Sequence, residues 1–220
     1  MSVLSREKIQ ELLALGPMEA NSIVITPLLG RGRVRERLFD VDSIDIRLGC
    51  HFLLPRAWHQ PFFCPDETSA TGSLHLGAHV PLGKYLVVPA HQTVLGATLE
   101  FIKLPNNVSG EILTKSSVAR TFVLVETAPW IHPGYRGCLT LEIANVSNTP
   151  VLLYPGRLIG QLIFMEVSPP PEDRQLESSY GPVFPEPPKF KSPEQDLRDI
   201  GVTDTWIIPA PEIAGKKTAP

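Results

Sequence analysis

Nearly every side chain with the chemistry of a site lies between Glu111 and Phe164, where three polar clusters interrupt short apolar runs. The first, KSSVAR, sets Lys115, Ser116, Ser117 and Arg120 around one helical turn. Two cations, two hydroxyls and the free backbone donors of a helix start suit an anion and make a good triphosphate cradle. A Ser-Ser pair alone reads equally well as a helix cap, but that reading leaves Lys115 and Arg120 unexplained. The second cluster is Thr127-Ala128 running into Ile131-His132-Pro133-Gly134. The third is Glu142, inside the strand-like run from Cys138 to Val146, where an acid among Leu139, Leu141 and Ile143 reads in isolation as an ordinary solvent-facing residue. A basic and hydroxyl cluster followed by a carboxylate on a strand suggests a bound anion beside a general base.

The elements that must position these groups read as mainly β. Runs rich in Val, Ile and Leu, broken by Pro-Gly and Asn-rich turns at short intervals, predict an all-β sandwich or barrel. Ser5 caps a predicted short helix with apolar positions Ile9, Leu12 and Leu13, stopped by Gly16-Pro17. Strands are expected from Ser22 to Thr26 and from Ser43 to Gly49, the latter half-buried, with Ile44, Ile46 and Leu48 inward and Asp45 and Arg47 outward. Further strands are expected at Tyr85 to Val88, Thr93 to Lys103 and Val108 to Leu113, then a helical turn from Ser116 to Thr121. Residues 50–80 read as a long excursion between strands; no pair among His51, His59, His75 and His79 has the i, i+4 spacing with an intervening Glu that a zincin uses, and they read as surface or packed residues. Beyond Val167 closely spaced prolines exclude a central strand or a long helix, which predicts an extended arm or tail.

The 220 residues and 24.2 kDa suit one sizeable core and a tail, divided as a β domain over 1–167 and a proline-rich arm over 168–220. A net charge of -3 and a pI near 6.1 argue against nucleic acid as a partner. The basic cluster Arg31, Arg33, Arg35 and Arg37 is interleaved and followed by Glu36, Asp40 and Asp42, and reads as a solvated loop or subunit contact. Three cysteines, Cys50, Cys64 and Cys138, in no paired spacing point to a reducing cytoplasm. The opening residues lack an export signal pattern, and no apolar run is long enough to span a membrane.

In the order and spacing of KSSVAR, TAPWIHPGY, CLTLEIANV and PGRLIGQLIF the chain resembles the dCTP deaminase branch of the trimeric dUTPase-like family. LSREKIQELL and SIDIRLG resemble that family's opening helix and first long strand, so the likeness covers roughly residues 4 to 167. The resemblance implies a distorted β-barrel or jelly roll, a homotrimer with active sites at subunit interfaces, and water attack on C4 of the cytosine of dCTP, giving dUTP and ammonia. It places Glu142 as general acid/base, with Arg120, Ser116 and the carbonyl of Ala128 as catalytic partners. It assigns nucleotide binding to Lys115, Ser116, Ser117, Arg120, His132, Thr140 and Gln161, and to Tyr180, Lys189 and Gln195 in the arm. It implies Mg²⁺ carried by the triphosphate, with no metal ligand from protein side chains, and no zinc; the Cys-x-x-Cys of zinc deaminases is missing from the sequence.

His132 stands where the family has an acid that contacts the deoxyribose, and a neutral imidazole accepts a hydrogen bond through one nitrogen only. A plain dUTPase fits poorly, because its catalytic aspartate is His132 here and its Gly-rich tail is replaced by prolines. Two alternatives stay open: a bifunctional enzyme that also releases diphosphate to give dUMP, whose members share a Lys before the Ser pair, and a non-catalytic nucleotide-binding relative.

Overall fold

The computed structural model describes residues 2–28, 36–56, 74–126 and 129–168. Its strands in chain order are β1 (Ser2–Val3), β2 (Val24–Thr26), β3 (Ser43–Pro55), β4 (His75–His79), β5 (Leu86–Val88) and β6 (Thr93–Lys103). They continue with β7 (Val108–Thr114), β8 (Val123–Glu126), β9 (Trp130–Ile131), β10 (Arg136–Asn145), β11 (Val151–Leu153) and β12 (Leu158–Glu166). Helix α1 (Arg6–Ala14) precedes β2, and the single turn α2 (Ser116–Ala119) joins β7 to β8. Ten strands form one sheet in the order β8-β10-β6-β3-β12-β7-β9, with β1 added to β12, β2 to β6 and β4 to β3, while β5 and β11 make a separate ribbon.

The sheet curls because β3 serves two neighbourhoods. Its first half pairs with β12, from Ser43↔Ile163 to Arg47↔Leu158, and its second half pairs with β6 and β4. The register shifts between Leu48 and Phe52, where Gly49 lies against β6. A Cβ there would stand 2.8 Å from the Ala97 carbonyl oxygen, so only glycine lets the two backbones approach this closely. The curl brings β7 back toward β8: the Thr114 hydroxyl donates to Val125 O at 3.1 Å and accepts from Val125 N at 2.7 Å. This is the mainly β, barrel-like architecture expected from the turn spacing.

The concave side holds the core. Ile44, Ile46, Leu48, Phe52, Ile102, Leu141, Ile143, Leu162 and Phe164 are at most 1 % exposed. Each such side chain contributes about 1.5–3 kcal/mol on burial. Helix α1 closes one end: Ser5 caps it through Lys8 N, Ile9 is fully buried, and Leu12 and Leu13 pack against the core.

Two sequence expectations are corrected. Strand β3 is not half-buried; all seven residues from Ser43 to Gly49 are buried, and the outward pair Asp45 and Arg47 is 7 % and 9 % exposed. Both charges survive burial because partners far along the chain meet them: Lys115 for Asp45 and Glu100 for Arg47. The stretch 50–80 is not strandless either, since β3 continues to Pro55 and pairs with β4 in a ladder from His51↔His79 to Pro55↔His75. Strand β4 carries two histidines and a glycine, and pairing rather than propensity makes it a strand. His59, Cys64, Arg31, Arg33, Arg35 and the proline-rich arm lie outside the described residues.

Candidate active site

Strand β7 delivers the chain to Lys115, whose extended backbone precedes α2. Lys115 O accepts from Val118 N at 2.8 Å and Ala119 N at 3.0 Å, and Ser116 O accepts from Arg120 N at 3.2 Å. The first N–H groups of such a turn have no intrahelical partner, and here they belong to the exposed Ser116 and Ser117, with exposed Arg120 at the far end. A helix of four residues has little macrodipole, so anion affinity falls to the side-chain cations and donors.

Beside α2 lies an open groove of about 1000 Å³, lined by Lys115, Ser117, Val118, Arg47, Tyr154 and Arg157 among others. Backbone bonds fix its rim. Leu48 N donates to Arg157 O at 2.9 Å, Gly156 N donates to Leu48 O at 2.7 Å, and Lys115 N donates to Ile159 O at 3.0 Å. The Pro155-Gly156 turn that makes this docking possible needs glycine, with φ at 85°.

The cations around the groove are not all free. Lys115 Nζ donates to both carboxylate oxygens of Asp45, at 2.7 Å and 2.6 Å. Arg47 Nη1 donates to Glu100 Oε1 at 3.1 Å, and Arg47 N donates to Glu100 Oε2 at 2.9 Å. Glu100 is wholly buried, and burial lifts its carboxyl above the usual carboxylate range against the pull of Arg47. Gln161 sits on β12 directly opposite Asp45 on β3 and Leu113 on β7. Asp45, Arg47, Glu100 and Arg157 were missed as site residues by sequence reasoning. Opposite charges two apart in SIDIRLG were the available signal, since a strand puts them on one face.

Glu142 lies on β10 between β6 and β8, opposite Leu95 and Glu126. Leu141 and Ile143 on either side point into the core at 0 % exposure, which sends Glu142 to the other face. That face is not open: Glu142 is half-buried, and its Oε2 is buried with no hydrogen-bond partner. Burial pushes its carboxyl above the usual range. A desolvated carboxyl with one unpartnered oxygen has the properties of a proton acceptor poised to receive a ligand's donor.

Lys115 and Ser117 line the groove, and Glu142 does not. His132 is exposed after β9, where its carbonyl accepts from Tyr135 N at 3.2 Å. Thr140 lies beside the β10 register shift between Cys138 and Thr140. Ala128, Tyr180, Lys189 and Gln195 lie outside the described residues, as does Thr127.

The family model described as dCTP deaminase-like matches residues 3–167. A "dCTP deaminase, dUMP-forming" of Methanobrevibacter smithii is 31% identical over 173 residues, covering 78% of this chain and 84% of that protein. One of the same name from Methanoregula boonei is 40% identical over 160 residues, covering 69% and 85%. The crystal structure of 2'-deoxycytidine 5'-triphosphate deaminase from Agrobacterium tumefaciens shares the fold with a TM-score of 0.54 at 22% identity, over 74% of this chain and 47% of that one. With three quarters of its length matched by the family model and a curled sheet built as that family builds it, the chain belongs to the dCTP deaminase-like family.

Proposed function

We propose that this protein catalyses the hydrolytic deamination of dCTP, with Glu142 as general acid/base. The observation that carries this reading is the Glu142 carboxyl, half-buried, lifted in pKa and with Oε2 unpartnered, on the central part of a dCTP deaminase-like domain. Glu142 takes a proton from water as its oxygen bonds to C4 of the cytosine ring. The C4–N3 π electrons move onto N3, which receives that proton from Glu142; Glu142 then carries the C4 hydroxyl proton to the departing amine as C4=O forms, so dCTP and water give the uracil nucleotide and ammonia. A carboxyl with a raised pKa suits both halves of the transfer.

Ser116, Ser117, Arg120 and Lys115 hold the triphosphate, and charge-assisted bonds to phosphate contribute about 1.5–3 kcal/mol each. Lys115 must share itself between Asp45 and the phosphates, so its net contribution is the smaller of the two cations. Mg²⁺ arrives on the triphosphate, as the hard oxygen donors of phosphate suit it. When bound, Mg²⁺ screens the phosphate charge. His132, Thr140 and Gln161 contact the nucleotide.

The chain acts as a homotrimer with sites shared between subunits, a reading that suits a Lys115 groove whose lining does not include Glu142. Exposed Phe122 and Trp130, at 61 % and 38 %, supply apolar surface for such contacts. Residues 1–167 make the nucleotide domain, and the roles assigned to Tyr180, Lys189 and Gln195 rest on the resemblance alone. A cytoplasmic enzyme suits the unpaired cysteines; among the described residues no helix is long and apolar enough to cross a membrane.

A second reading concerns the product. Relatives at 31% and 40% identity are named dUMP-forming, and Lys115 precedes the Ser pair as in such enzymes, which favours a second water attacking the α-phosphorus with release of diphosphate. Incubating purified protein with dCTP and Mg²⁺ and separating the nucleotides decides both points. Ammonia with dUTP supports deamination alone, ammonia with dUMP and diphosphate supports the bifunctional reading, and unchanged dCTP refutes both.

A further inference from the structure

The histidines of the β3–β4 hairpin stand apart from the nucleotide chemistry. His51 and His79 are direct partners in the antiparallel ladder, and their rings lie 4.8 Å apart between centroids at an interplanar angle of 47°. Directly opposed residues project to the same face with Cβ atoms about 4.5–5.5 Å apart. An imidazole nitrogen binds a transition metal at about 2.0–2.1 Å, so two nitrogens on one ion stand about 3 Å from each other. Rings already 4.8 Å apart and tilted reach that spacing by side-chain rotation alone.

The surroundings favour the ligating form. His79 is exposed, which gives an ion access from solvent, while His51 is half-buried. Burial first, and the charge of His79 second, hold the His51 pKa below its ordinary value. His75 lies on the same face of β4 but four residues along, about 13 Å away, too far for the same ion. Cys50 projects to the opposite face. Among the described residues the donor set is therefore two imidazoles, with water to complete the shell. Imidazole nitrogen selects borderline ions over hard ones, and Mg²⁺ is excluded from such a pair.

We propose that His51 and His79 form a site for a divalent transition-metal ion of the imidazole-binding kind, Ni²⁺, Cu²⁺ or Zn²⁺, which clamps β3 to β4. Two ligands on rigid neighbouring strands make the second bond intramolecular, and the loss of either ring removes that chelate advantage. This holds whether or not the chain deaminates dCTP.

Calorimetric titration of Ni²⁺ into the untagged, nucleotide-free full chain tests the site. The expected result is one ion per chain, affinity that falls on acidification as protons compete, and a loss of at least about tenfold in H79A, with H75A and H91A unchanged. His79 is exposed, so H79A keeps the fold, and H79Q repeats the test with a side chain of similar size. Absence of Ni²⁺ binding, binding that survives H79A and H79Q, or an equal loss in H75A overturns the proposal.

Discussion

Glu142 carries a conflict between stability and use. Its carboxyl is lifted above 4.5 by burial, so the folded state holds that proton more tightly than the unfolded chain does. The sign follows: its contribution to stability is present at low pH and is lost as pH rises through the folded pKa. Glu142→Gln removes the ionisation and keeps the shape. The variant is expected to lose about 10²- to 10⁴-fold or more in deamination rate. Its melting temperature at pH 7 should equal or exceed that of wild type, with the difference growing from pH 4 to pH 7. Scanning calorimetry across that range checks this, and a variant less stable at pH 7 contradicts the desolvated-acid account. The wild-type rate should rise with pH through a midpoint above 4.5 as the base form appears. The sequence placed Glu142 on a strand among apolar neighbours, but its burial comes from β6 and β8 on either side, and that pairing is set by turns and registers no local pattern encodes.

Among the elements, α2 and β3 make the most specific demands. Arg120→Ala should weaken triphosphate binding by about tenfold or more while deoxycytidine binding changes little. Equal losses for both ligands, measured by titration, would remove Arg120 from the phosphate site. Gly49→Ala drives a methyl to within 2.8 Å of the Ala97 carbonyl at the point where β3 changes partners, and should cost about 1–3 kcal/mol in urea denaturation. Strands β6 and β7 were legible because their apolar periodicity is local. Strand β3 was legible as a strand and misread as half-exposed. The groups that neutralise Asp45 and Arg47 lie 70 and 53 residues away, and no local pattern connects them. Arg47→Ala should therefore cost about 3–5 kcal/mol, since it leaves Glu100 as a buried acid without its cation.

For the whole molecule, Glu142 is not among the residues lining the Lys115 groove, and the proposed homotrimer would join the two between subunits. Sedimentation is expected to show a trimer, and a Glu142→Gln chain mixed with a weakly binding Arg120→Ala chain is expected to recover part of the activity through hybrid interfaces. The motifs made the family legible from sequence alone, because each turn and strand end carries its own residues. The assembly was legible only through the resemblance, since apolar residues such as Phe122 and Trp130 look alike in a core and on an interface until a fold shows them exposed. The most direct test of the central claim is ammonia release from dCTP and Mg²⁺ by wild type and Glu142→Gln at equal, verified folding. The account predicts stoichiometric ammonia and a uracil nucleotide from the wild type and about 10²-fold less or lower from the variant; equal release by both proteins, or none from the wild type, would contradict it.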